Sequence, residues 1–165
     1  MGVTILVDTR QQEGKHTLKH EWFKAHGFRL VRTKLLVGDY QVVGGIRAVD
    51  TKMSISELAS NIDQQHDRFR RELIEARDSG FELTVLVENN HGITDLHSFA
   101  SWREPDNEFR KRKHAQRRIF GSRLAKACAT MEQKYGVRFA FCKPEEAGAR
   151  VIEILLGGDG DADTA

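Results

Sequence analysis

The stretch 38–52, Gly-Asp-Tyr-Gln-Val-Val-Gly-Gly-Ile-Arg-Ala-Val-Asp-Thr-Lys, constrains the fold more than any other part of the chain. It reads as a β-hairpin: two runs alternate apolar and polar residues, and Gly44-Gly45 between them supplies the positive φ angles of a two-residue turn. That turn sets Val43 against Ile46, Gln41 against Ala48, and Asp39 against Asp50. Directly opposed side chains have Cβ atoms roughly 4.5–5.5 Å apart, a spacing at which like charges destabilise the sheet. Lys52 follows two residues later on the same face. Two facing carboxylates beside an ammonium need a cation between them, and a divalent metal meets that need.

The rest of the chain supports a sheet around this hairpin. Residues 3–7, 28–36, 81–87 and 137–142 are β-rich runs, and helical spacing marks 15–26, 54–62, 64–79, 122–135 and 144–156. In the first helix the stripe is Leu18, Trp22, Phe23 and His26, closed by Gly27; in the 64–79 helix it is Phe69, Leu73 and Ala76. Strands alternating with helices around one hairpin predict an α/β fold, a mixed β-sheet with helices on both faces. Residues 89–120 are the least regular part. One domain is expected over 1–157, followed by a disordered acidic tail over 158–165.

Composition excludes several classes. No apolar run reaches the roughly 18 residues of a membrane span, and no basic n-region precedes the first strand. Cys128 and Cys142 lack metal-ligand spacing and read as buried thiols of a reducing compartment. A soluble, cytoplasmic protein is the expectation. The net charge of +2 decides nothing about partners, so the distribution of charge carries that argument.

Asp8, Asp39, Asp50 and Glu88 all sit within or at the end of strands that otherwise read as core. An acid there loses hydration unless it is paired or bound to metal. Each alone can be read as a turn cap or an edge residue; Asp39, Asp50 and Lys52 together favour a metal centre for phosphodiester hydrolysis. Mg²⁺, or Mn²⁺, suits a site with few carboxylates. His16 and His20 stand one helical turn apart without a third ligand, which favours a structural role over zinc.

These residues resemble a known family. Gly-Asp followed by an acid-x-Lys strand is similar to the PD-(D/E)XK nucleases of the restriction-endonuclease-like fold, and more narrowly to the nuclease domain of XPF/Hef-type structure-specific endonucleases. The family pattern of V-D-x-R-E, G-D-Y and E-R-K corresponds here to Val7-Asp8-Thr9-Arg10-Gln11, Gly38-Asp39-Tyr40 and Asp50-Thr51-Lys52. The likeness extends through the helix of Arg68, Arg71, Leu73 and Ala76, the strand 83–88, and Phe141-Cys142-Lys143-Pro144. It implies a restriction-endonuclease-like core, with Asp39, Asp50, Lys52, Asp8 and Arg10 as catalytic residues and Asp39 and Asp50 holding the metal. Four positions depart from the pattern. Asp50 replaces glutamate, Thr51 replaces arginine, Gln11 replaces a supporting glutamate unless Glu13 substitutes, and the trailing acid is Glu57, one residue late.

Six cations crowd the nine residues 110–118: Arg110, Lys111, Arg112, Lys113, Arg117 and Arg118. Such runs are often solvated helix faces, but beside a nuclease centre they read as DNA-phosphate contacts, with Arg68 and Arg71 as further candidates. Trp102 fits a base-stacking role or a core plug under the long loop equally well. The resulting expectation is a Mg²⁺-dependent endonuclease acting on branched DNA such as flaps, forks or Holliday junctions. The junction version requires a homodimer to make two symmetric cuts. The alternatives are a non-catalytic DNA-binding subunit of the same fold and a sequence-specific restriction enzyme.

Overall fold

Six strands form one sheet in the order β2-β1-β3-β4-β5-β6 in the computed structural model, which describes residues 2–158. The strands are β1 (Thr4–Asp8), β2 (Arg29–Thr33), β3 (Tyr40–Val42), β4 (Arg47–Lys52), β5 (Glu82–Glu88) and β6 (Arg138–Cys142). The helices are α1 (Thr17–Ala25), α2 (Ile55–Asp63), α3 (His66–Asp78), α4 (Leu96–Phe99), α5 (Asp106–Lys111), α6 (Gly121–Tyr135) and α7 (Ala147–Leu156). β1 runs parallel to β2; β3 is antiparallel to both β1 and β4; β4, β5 and β6 are mutually parallel. β4 is therefore the seam between the antiparallel and parallel parts of the sheet.

Strand alternation divides the core in two. Ala48, Leu83, Val85 and Val87 face α2, α3 and α6, where Leu58, Phe69, Leu73 and Leu124 cover them. Val49, Leu86, Ile5 and Val7 face the other way, against Phe23 of α1 and Val151 and Leu155 of α7. Each such large apolar side chain removed from water contributes roughly 1.5–3 kcal/mol. Because β5 is covered on both faces, its sequence is a continuous apolar run rather than an alternating one. The expected mixed α/β sheet with helices on both faces is the observed one.

Local details differ from the sequence expectation. The hairpin keeps its register, with Tyr40 opposite Val49 and Gln41 opposite Ala48. Its loop, however, is longer than two residues. Pairing between the two strands stops at Gln41 and Ala48, the Gly45 N–H donates to the Val42 carbonyl at 2.9 Å, and of the two glycines only Gly44 has positive φ, +75°. Positive φ at the third residue of that turn is the requirement of a type II turn, which one glycine satisfies.

In α1 the stripe is displaced by one residue. Leu18 is exposed, whereas Lys19 is buried and pairs at 2.6 Å with buried Glu88. The irregular 89–120 stretch contains α4 and α5, and Trp102 is buried against Phe99 as a core plug, unavailable for base stacking. Cys128 and Cys142 are buried free thiols. Among the described residues no helix is long and apolar enough to cross a membrane. Of the expected acidic tail, 159–165 lies outside the described residues.

Candidate active site

The site begins with a glycine. Gly38 has φ +72°, and a β-carbon on it would lie 2.9 Å from the Val49 carbonyl oxygen, so only glycine lets the loop approach β4 this closely. The next residue, Asp39, donates its N–H to that same Val49 carbonyl at 2.8 Å. Tyr40 also pairs with Val49, so two residues oppose one, as in a β-bulge. Asp39 thus stands just outside the ladder rather than directly across from Asp50. Its Oδ2 accepts hydrogen bonds from the Thr51 N–H at 2.8 Å and the Thr51 hydroxyl at 2.9 Å.

Asp50 and Lys52 leave β4 on the face shared with Ala48, two and four residues on, and the Lys52 ammonium lies 3.0 Å from Asp50 Oδ2. Burial, and then the neighbouring Asp39 carboxylate, push the Asp50 carboxyl up to about 7, against the opposing pull of Lys52. Burial works against the Lys52 ammonium, but Asp50, Glu57 and Asp39 outweigh it and hold the amine above its ordinary value. The ammonium also rests 5.7 Å from the centre of the Phe69 ring.

Asp8 and Arg10 support this centre. Asp8 Oδ1 accepts the Leu35 N–H at 3.1 Å and Oδ2 accepts Arg10 Nε at 2.8 Å, while Arg10 Nη2 donates to the Leu35 carbonyl at 2.8 Å. The Asp8 N–H also donates to the Asp39 carbonyl at 2.9 Å. With both carboxylate oxygens engaged, Asp8 pins the segment that delivers Gly38 and Asp39. Asp8, Arg10, Asp39, Asp50, Lys52 and Arg68 all line one cleft of about 400 Å³.

Other candidates fall elsewhere. Glu57 lines the cleft rim, yet its carboxylate accepts the Met53 N–H at 2.8 Å while Ser54 Oγ accepts the Glu57 N–H at 3.0 Å. This reciprocal cap starts α2 and occupies the trailing acid. Glu13 is exposed and lines no part of the cleft, so it does not substitute for the acid missing at Gln11. Arg68 pairs with Glu72 at 3.3 Å; Arg71 is exposed and lies outside the cleft lining. His20 Nε2 lies 2.9 Å from the Tyr40 hydroxyl, and burial followed by Lys19 lowers both His16 and His20 to about 4.

The basic run is not one uniform surface. Glu104 is 2% exposed, and its carboxylate accepts Arg112 Nε at 2.5 Å, Arg112 Nη2 at 2.8 Å and the Ile119 N–H at 2.9 Å. Arg118 donates to the Glu104 carbonyl and pairs with Asp106. Both guanidinium groups lie over the Phe109 ring, 5.6 and 5.0 Å from its centre. Arg112 and Arg118, expected on DNA, are therefore engaged in folding the loop. Among the described residues the side chains of Arg110, Lys111, Lys113 and Arg117 make no hydrogen bond or ion pair within the fold, although Arg110 contributes to the field that lowers Asp106. Ser56 Oγ donates to Glu108 at 2.9 Å and ties α5 to the first turn of α2, beside the cleft rim.

Sequence reasoning missed three features: the Thr51–Asp39 bonds, the Lys19–Glu88 pair and the Glu104 cluster. Of these only Glu88 carried a signal, as an acid at the end of a buried strand that must find a partner; Glu104 is one of three acids, with Asp106 and Glu108, ahead of the cations, and nothing in the sequence sets it apart.

Among the described residues no three His, Cys, Asp or Glu side chains converge as a ready-made metal cluster. A metal at this site would rest on the two carboxylates Asp39 and Asp50. They supply hard oxygen donors, and the raised Asp50 carboxyl marks a place where the chain's own charges leave an anion uncompensated. The residues fit a hard divalent cation.

Comparison with known proteins agrees with this layout. The model of a family described as the ERCC4 domain matches residues 7–155. No curated protein matches the chain. Among solved structures, XPF from Aeropyrum pernix matches at 18% identity and a TM-score of 0.63, over 94% of this chain and 65% of that one. XPF from Aeropyrum pernix in complex with DNA matches at 16% identity and a TM-score of 0.61, over 99% of this chain and 68% of that one. The chain thus spans about two thirds of the length of these proteins and shares their fold.

Proposed function

The chain belongs to the ERCC4-domain family, and from that premise we propose that it is a metal-dependent endonuclease hydrolysing DNA phosphodiesters at branched structures such as flaps, forks or Holliday junctions. The observation that carries the proposal is the convergence of Asp39, Asp50 and Lys52 in one cleft, where strand register brings a carboxylate pair and an ammonium together. The DNA partner is supported by the solved relative in complex with DNA and by the exposed side chains of Arg110, Lys111 and Arg117 beside Lys113, at the end of α5 and in the segment after it. Preference for branched DNA rests on the resemblance of the Asp8, Asp39 and Asp50-x-Lys52 motifs to structure-specific nucleases.

Asp39 and Asp50 would hold Mg²⁺ or Mn²⁺, which supplies Lewis-acid polarisation of the phosphate and a water acidified toward neutral pH. The chain's own residues do the rest. Lys52 is a cation in the resting cleft, so it acts as a donor toward phosphate oxygens on which charge develops rather than as the resting base. Asp8 and Arg10 fix the loop that carries Asp39, and Arg68, paired with Glu72, stands on the cleft wall where a phosphate could compete for its guanidinium. Cutting both strands of a four-way junction would take two copies.

The test is cleavage of end-labelled flap, fork, four-way and plain duplex substrates with Mg²⁺ or Mn²⁺, comparing wild type with Asp50→Asn. Cleavage of branched substrates that the variant loses is expected. DNA retention without cleavage in either metal would replace the reading with a non-catalytic binding subunit. Cutting of plain duplex at fixed sites would replace it with a restriction enzyme.

A further inference from the structure

The residue between the two acidic and basic members of β4 is also built into the site. Thr51 is 4% exposed, and it places both its N–H and its hydroxyl on one oxygen, Asp39 Oδ2. A carboxylate oxygen offers about two lone-pair directions, so these two bonds fill Oδ2. Rotation of the Asp39 carboxylate would break both at once. β-Branching restricts χ1 of Thr51, so the hydroxyl is held in place rather than found by chance.

We propose that Thr51 is a positioning residue for metal capture, turning Asp39 so that Oδ1 is the oxygen presented to a divalent cation shared with Asp50. The proposal rests on the nuclease reading above and extends it to a residue that never touches the metal. Outer hydrogen-bond partners of metal-binding carboxylates act in this way, and their loss commonly weakens metal affinity by about 10–100-fold.

Direct Mn²⁺ binding to the full chain, measured by calorimetry or by loss of the free-Mn²⁺ paramagnetic resonance signal, tests this alongside cleavage. Thr51→Val keeps the backbone donor and the side-chain shape but removes the hydroxyl. Thr51→Ala removes it without risk of overpacking, and Thr51→Ser restores it. The Mn²⁺ dissociation constant is expected to rise about tenfold in the Val and Ala variants. Cleavage at saturating Mn²⁺ should return to near the wild-type rate, and Ser should lie close to wild type in both assays. Unchanged Mn²⁺ affinity in Val and Ala, or Ser as weak as Ala, overturns the role of Thr51 while leaving the nuclease reading intact. A wild-type chain that neither binds Mn²⁺ nor cleaves overturns that reading and this proposal with it.

Discussion

A β-carbon on Gly38 would lie 2.9 Å from the carbonyl oxygen of Val49, closer than such atoms approach in folded proteins. The same carbonyl accepts the Asp39 N–H, so this contact sets where the first acid of the site stands. Gly38→Ala must relieve both the clash and a φ of +72°. Strain of this kind costs about 1–3 kcal/mol, and each kcal/mol lowers Tm by about 2–4 °C in a chain of this size. Thermal unfolding should show that loss, with cleavage falling further than stability because Asp39 moves; wild-type cleavage in a folded Gly38→Ala protein would separate the loop from the chemistry.

Lys52 carries a prediction of its own. Lys52→Ala should slow cleavage by at least about 100-fold, the scale at which one preorganised donor contributes. Mn²⁺ affinity should be retained, because the carboxylates remain. An unchanged rate would remove Lys52 from the mechanism.

Asp50 predicts a pH dependence in metal-free protein. Its carboxyl holds a proton up to about 7 in the fold against 3.8 ordinarily, so the folded state binds more protons between those values. Its contribution to stability is therefore lost as pH rises through that window. His16 and His20, lowered to about 4, act oppositely: their contribution is lost as pH falls below 6.5. The difference between wild type and Asp50→Asn isolates the first effect. The variant should have the higher Tm at pH 8, the gap should close toward pH 4, and added Mg²⁺ should raise Tm in wild type only. Parallel curves for the two proteins across that range would contradict the raised carboxyl.

The basic loop divides into two groups. Neutralising Arg110, Lys111, Lys113 and Arg117 together should weaken binding to all DNA sequences and reduce the salt slope by about 3–4, since each lost phosphate contact removes about 0.9. Filter binding across a salt series reads this directly. An unchanged slope would return those cations to a solvated surface.

Glu104→Ala strands the Arg112 guanidinium and the Ile119 N–H without their buried acceptor, while Arg118 keeps the backbone carbonyl of residue 104 and Asp106. Limited proteolysis within 105–118 should then accelerate, with Mn²⁺ binding at the cleft unaffected. Equal protection in both proteins would show that the loop holds itself without Glu104.

The central site was legible because strand register is set by alternation, and shifting it by one residue would turn Gln41, Val49 and their neighbours inside out. That logic placed Asp39, Asp50 and Lys52 in one cleft, but it set Asp39 directly across from Asp50, whereas the bulge puts it just outside the ladder, and the loop at Gly44 is longer than expected. Partner choice was not legible. Leu18 and Lys19 both fit a helical stripe, and only Glu88, 69 positions away, makes the lysine the buried one. Arg112 reads like its neighbours until the chain folds Glu104 beneath it, and Trp102 meets its partner Phe99 only in the folded loop. Thr51 had no chemical signature at all, because its role comes from the bulge at Asp39.

β4 joins the antiparallel part of the sheet to the parallel part; Asp50 and Lys52 stand on that strand itself, and Asp39 stands at the entry to its antiparallel neighbour β3. All three therefore belong to one contiguous hairpin, and what the rest of the sheet adds is enclosure: β5 alongside β4 and the helices over them take Asp50 out of water.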